Sequence, residues 1–233
     1  MFERHSSARV SHDEFEFVRR QMVDCQIRNR GVRDHRVLEA MKAVPRHAFV
    51  PRERISDAYA DAPLPIGDGQ TISQPFIVAA MADAVALQGG ERVLEIGAGS
   101  GYQAAVLSLL AREVIAVETL PRLAKIAPER LARLGYTNVQ IIEADGSSGW
   151  APGAPYQAIV VSAAAPSVPQ PLFDQLAEGG QIAIPVGDSE YQRVLRITKR
   201  DGKAVREHLY QCRFVPLVGR YGWFHAIQKA PSE

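Results

Sequence analysis

Cysteine is nearly absent from this 233-residue chain, which carries only Cys25 and Cys212. Two thiols so far apart in sequence make neither a disulfide framework nor a thiolate zinc site, and they fit a reducing compartment. Histidine is sparse as well. Its six residues include no pair at the spacing of a metal motif, so no metal is assigned. No apolar run approaches the length that spans a bilayer. The N-terminal stretch MFERHSSARVSHDEFEF places charges where a signal peptide needs an apolar segment. A soluble, cytoplasmic protein with no membrane partner is expected. An excess of one charge is also lacking: 27 Lys+Arg face 26 Asp+Glu. That balance argues against a surface that tracks nucleic-acid phosphates. There is no internal repeat and no low-complexity tract.

What is present is a chain long enough for one large domain, or a domain with a modest appendage. Residues 1–11 are polar and are expected to fray. Phe15, Val18, Met22, Cys25 and Ile27 then recur at roughly helical steps. A second helix is expected over 33–44, closed by Pro45. Residues 45–75 are rich in Pro and Gly and read as an ordered, functional loop. From residue 76 the texture alternates. Helices are expected over 76–87, 102–110, 123–134 and 171–177, and apolar strands over 93–96, 114–117, 139–142, 158–161 and 182–185. Such alternation implies an α/β, Rossmann-like fold whose mostly parallel central sheet is covered by helices on both faces. The segments 192–199 and 208–214, on either side of Asp201-Gly202, read as closing antiparallel strands. The expected organisation is an N-terminal helical region and loop (1–75), a core (76–219) and a tail (220–233), forming one compact domain.

The strongest local signal is the run 93–102, V-L-E-I-G-A-G-S-G-Y. Three glycines between a strand and a helix let the backbone turn sharply and approach a ligand. About 20 residues beyond Gly97, Glu118 ends the next strand, where a doubly wound sheet presents a carboxylate to ribose hydroxyls. A dinucleotide fingerprint is G-x-G-x-x-G, whereas here the spacing is G-x-G-x-G. Glu95 would also repel a pyrophosphate and favour a cation such as the ammonium end of S-adenosylmethionine. The string therefore resembles the first motif of Rossmann-like methyltransferases, with Glu95, Gly97, Gly99, Gly101 and Glu118 as donor-binding candidates. Asp145 and Gly146 follow the third strand, where an acid could meet an adenine amino group and a glycine could let the ring approach.

Upstream, P-I-G-D-G-Q-T-I-S-Q-P (65–75) offers the hydroxyls of Thr71 and Ser73 just before a helix, with Ser73 also a fitting N-cap. That segment, E-I-G-A-G-S-G-Y-Q, A-D-G-S-S-G-W and C-R-F-V-P-L-V-G occur together in this order. Over about residues 20–219 the chain resembles the protein-L-isoaspartate (D-aspartate) O-methyltransferases. The resemblance implies a class I methyltransferase fold and methyl transfer from S-adenosylmethionine to isoaspartyl carboxylates in damaged proteins, followed by succinimide formation. Its product would be S-adenosyl-L-homocysteine. It implies Ser73 as the catalytic residue, and Gln70, Thr71, Ile72, Asp145 and Gly146 beside the glycine turn at the donor. Ile66, Val215, Pro216 and Leu217 would then frame the acceptor, with the loop 44–51 nearby. A dedicated aspartyl methyltransferase of one peptide precursor, or a donor-binding protein without activity, would share these motifs. Two departures stand out: Ala144 replaces the glycine usual before the Asp, and residues 220–233 extend beyond the family pattern. A monomer is expected.

Several further expectations concern packing. Arg19, Arg20, Arg28, Arg30, Arg33 and Arg36 are interspersed with acids and read as a solvated face. Cys25 and Cys212 read as packed thiols, and Trp150 as core beside the adenine-side turn. Tyr221, Trp223 and Phe224 are expected to pack back onto the sheet.

Overall fold

The computed structural model describes residues 12–223. Its centre is a seven-stranded sheet in the order β5-β4-β3-β6-β7-β8-β9. The strands are β3 (Arg92–Ile96), β4 (Glu113–Glu118), β5 (Val139–Glu143), β6 (Tyr156–Val161), β7 (Leu176–Gly187), β8 (Gln192–Arg200) and β9 (Lys203–Cys212). β5, β4, β3, β6 and β7 are parallel; β8 and β9 add on antiparallel. A separate small hairpin joins β1 (Leu64–Gly67) to β2 (Gln70–Ile72). The helices are α1 (His12–Gln21), α2 (His35–Ala43), α3 (Pro75–Ala84), α4 (Tyr102–Ser108), α5 (Pro121–Arg133) and α6 (Gln170–Asp174).

Both faces of the central strands β3, β4 and β6 are buried, because their side chains alternate between two apolar clusters. Val93, Val114, Ala116, Ala158 and Val160 face the cluster that contains α2, α3 and α4. Leu94, Ile115, Val117, Ile159 and Val161 face the cluster completed by Leu172 and Leu217. Glu95 breaks this pattern. It occupies a strand position of the first face, yet it is a carboxylate and is 0% exposed. An acid placed where alternation calls for an apolar side chain is a candidate functional position.

Several expectations are corrected here. The loop 45–75 contains short 3-10 turns and the β1–β2 hairpin. The helix expected over 171–177 is only Gln170–Asp174, since Leu176 already enters β7 opposite Tyr156. β9 begins at Lys203 rather than near residue 208. Its residues 203–208 are all exposed on the sheet edge, so no apolar alternation announces them. Arg19 is not solvated: it is 8% exposed and donates from Nε to the Lys42 carbonyl and from Nη1 to the Tyr59 hydroxyl. Cys25 is exposed rather than packed, and Cys212 is half-buried. Trp150 packs with the second cluster. Trp223 does fold back, donating from Nε1 to the Ala164 carbonyl at 3.1 Å. Phe224 and residues 1–11 lie outside the described residues. No described helix is long and apolar enough to cross a membrane.

Candidate active site

A cavity of about 750 Å³ opens at the carboxyl ends of β3, β4 and β6. Strand ends of a parallel sheet are where such folds bind ligands, because loops diverge there above a rigid base. One wall is the turn after β3. Gly97 and Ala98 both donate their N–H to the Val117 carbonyl, at 2.8 and 3.2 Å, which pins the turn to β4. Gly99 has φ +54°, and a Cβ there would sit 3.4 Å from Ile66 Cδ1. The hairpin thus lies directly on the glycine turn, and its residues Asp68–Ser73 form the opposite wall.

Glu118 joins the glycine turn to the start of α5. Its Oε2 accepts from Gly99 N at 2.7 Å and its Oε1 from Leu120 N at 2.9 Å. The carboxylate is 5% exposed and lines the cavity, with lone pairs to spare for ligand hydroxyls. Glu95 also lines the cavity, but neither of its oxygens has a hydrogen-bond partner. Burial pushes its carboxyl well above the usual carboxylate range, and the neighbouring Glu118 pushes it further. An unpaired buried acid is costly unless a cation or a proton satisfies it. Tyr102 closes the base: burial lifts its hydroxyl to about 12, so it stays neutral, and the Arg46 guanidinium lies 5.0 Å from its ring centroid.

Among the other expected site residues, Gln70, Thr71, Ile72, Ser73, Gly97, Gly99, Gly146, Val215, Pro216 and Leu217 line this cavity. Gly101 does not. It caps α4 in a left-handed conformation and packs against Leu131. Nor does Ile66, expected at the acceptor, line the cavity: it is buried in β1, with its Cδ1 against Gly99. Asp145 is absent from the lining. Its Oδ1 accepts from Ser147 N and Oγ, and its Oδ2 accepts from Arg220 N at 2.8 Å. Ser73 is half-buried and does not cap α3; Gln74 occupies the N-cap position. Ser162 and Ala163, at the end of β6, also line the cavity and were missed. Their signal was positional: they follow a strand whose carboxyl end lies beside that of β3.

A second hollow of about 180 Å³ adjoins the first, and Thr71, Ser73, Ser162 and Val215 line both. Pro63, Ile77 and Phe214 give it an apolar side, and Arg30 and Arg213 bring positive charge. The Arg30 guanidinium is held 3.7 Å over the Phe76 ring and 3.2 Å from Asp61. Among the described residues no cluster of three or more His, Cys, Asp or Glu is arranged to hold a metal.

The parallel sheet, the glycine turn and the acid ending β4 define a Rossmann-like, class I methyltransferase fold. The sequence model of the protein-L-isoaspartate(D-aspartate) O-methyltransferase family matches residues 18–222, and the chain belongs to that family. Among its relatives, a protein-L-isoaspartate O-methyltransferase from Methanoculleus marisnigri is 52% identical over 205 residues, covering 88% of this chain and 93% of the relative. The protein-L-isoaspartate O-methyltransferase 1 of Rhodopseudomonas palustris is 57% identical over 219 residues, 92% of this chain and 89% of its own. A solved protein-L-isoaspartate O-methyltransferase superposes with a TM-score of 0.79 at 33% identity, over 87% of this chain and 67% of that one. A Plasmodium falciparum structure, described as a complex with S-adenosyl-L-homocysteine, gives 0.73 at 26% identity, over 86% and 98%.

Proposed function

We infer that this chain transfers a methyl group from S-adenosylmethionine to the free carboxylate of isoaspartyl and D-aspartyl residues in proteins. One observation carries the reading: Ser73 and Ser162 stand on the boundary between a large cavity with donor chemistry and a smaller groove open to a peptide. The larger cavity fits the donor. Glu95 is a buried acid in need of a cation, and Glu118 is an acceptor for ribose hydroxyls. The glycine backbone leaves room for close approach, and Gly146 lines the cavity tight against Ile96, whose side chain a Cβ there would strike. When bound, the donor supplies a methyl group activated on a sulfonium, whose departure as a thioether needs no acid.

The chain's own part is positioning. An acceptor carboxylate has a pKa of about 4 and is already the nucleophile at neutral pH, so no general base is required. Alignment of reacting groups can contribute roughly 7–11 kcal/mol. Ile72, Val78, Val215 and Leu217 make part of the cavity wall apolar and exclude water from it. Ser73 offers a neutral hydroxyl that orients the carboxylate without holding its charge too tightly, as a lysine would. Released from the site, the ester is attacked by the adjacent backbone nitrogen, which loses its proton as methanol is expelled, to give a succinimide that water reopens partly to normal aspartate. Two free thiols and a nearly neutral charge balance support a reducing, cytoplasmic setting and a polypeptide acceptor.

The test is radiolabel transfer to an isoaspartyl peptide and to its normal aspartyl twin. Labelling of the isoaspartyl peptide alone is expected; equal labelling of both would overturn the damage-specific reading. In the same assay Ser73→Ala is expected to lower turnover about tenfold, the low end of a hydrogen bond to a charged group. Donor affinity should be unchanged. Unaltered turnover would remove Ser73 from the site.

A further inference from the structure

An ion pair joins the hairpin that walls the donor cavity to α5, an element far away in sequence. Asp68 sits at the tip of the β1–β2 hairpin and itself lines the cavity. Its Oδ2 lies 2.7 Å from Arg122 Nε, in the first turn of α5. Nothing local to α5 calls for an arginine there, since a positive charge near a helix N-terminus opposes the helix dipole. The first turn of α5 has no acidic residue of its own, and its N-cap, Leu120, offers no side-chain cap. The Glu118 carboxylate already accepts from the N-cap Leu120 N, and Asp68 offsets the charge of Arg122 itself.

The hairpin is shaped for that reach. Asp68 and Gly69 have φ of +52° and +70°, the signature of a tight two-residue turn in which Asp-Gly is favoured. Gly67 completes the fit: a Cβ there would run into the Arg122 guanidinium. The same hairpin carries Gln70, Thr71, Ile72 and, just beyond, Ser73, while the α5 side of the mouth continues from Glu118 through Thr119 and Leu120. The ion pair therefore ties the wall bearing Ser73 to the wall bearing the ribose-binding carboxylate.

We propose that Arg122 is a positioning residue which, through Asp68, holds the β1–β2 hairpin closed over the bound donor and sets how fast product leaves. The proposal rests on the donor reading of this cavity. The pair is exposed, with side chains 54% and 36% accessible, so its effect is modest and screened by salt.

The experiment compares the full chain with Arg122→Ala, Asp68→Asn and the double variant, using S-adenosyl-L-homocysteine as probe. Dissociation rates are read by stopped flow and affinities by calorimetry, at low and high salt, with thermal melts as a fold control. Each single variant should release product about two- to fivefold faster at low salt, the range of an exposed ion pair. The double variant should match the singles, and all differences should shrink at high salt. Arg122→Ala should raise KM for the donor while leaving the single-turnover rate at saturating donor unchanged. Wild-type release rates in the variants, additive effects in the double variant, or a difference that persists at high salt would overturn the proposal. If the wild-type chain does not bind the probe at all, the donor reading itself fails.

Discussion

Replacing Glu118 by Ala should weaken binding of S-adenosyl-L-homocysteine by about 10²–10⁴-fold. Two losses combine. The first is a carboxylate able to take both ribose hydroxyls, each bond to a charged group being worth about 1.5–3 kcal/mol. The second is the support of the turn, because Glu118 accepts from Gly99 N in the turn and from Leu120 N at the start of α5. Glu118→Gln should fall between, since its single amide oxygen can replace only one carboxylate oxygen as an acceptor. Calorimetric titration reads the effect directly, and an Ala variant with wild-type affinity would refute the ribose assignment.

The second large effect concerns Glu95 and has opposite signs for binding and for stability. Burial and the nearby Glu118 raise its carboxyl in the folded protein above the 4.5 of an ordinary glutamate. The folded state therefore holds a proton that the unfolded chain releases. Stability attributable to this group is full below the unfolded value and is lost as pH rises toward the folded one, by about 1.4 kcal/mol per pH unit at most. Glu95→Gln removes that loss, so its stability advantage should widen as pH rises through this window. A cationic donor needs the ionised carboxylate. Wild-type affinity should therefore climb with pH over the same window, while the Gln variant stays flat and, at high pH, binds about 10–150-fold more weakly. Parallel pH profiles for the two proteins, by calorimetry and by denaturant melts, would contradict this role.

Much of the site was legible because it violates local rules in the sequence. Three glycines between an apolar strand and a helix serve tight turning and close approach to a ligand. Glu95 stands where Val93 and the apolar alternation call for a hydrophobic residue. Glu118 was readable from its distance to Gly97. The β1–β2 hairpin was not legible. Its strands are only four and three residues long, Pro65 and Gly67 interrupt them, and their register shifts between Pro65 and Gly67. Burial of Arg19 was hidden for a different reason. Its partners, the Lys42 carbonyl and the Tyr59 hydroxyl, come from segments 23 and 40 residues away, and helical periodicity carries no information about them. Asp145 shows the same limit. Its position at a strand end was readable, but its bond to the Arg220 backbone joins residues 75 apart.

The measurement that bears most directly on the account is a crystal structure with S-adenosyl-L-homocysteine and an isoaspartyl peptide bound together. The predicted result is ribose oxygens on Glu118, the product's ammonium beside Glu95, and the isoaspartyl carboxylate at Ser73, entering from the groove of Pro63 and Phe214. Product density away from the Gly97–Gly101 turn, or a peptide whose carboxylate does not reach Ser73, would contradict it.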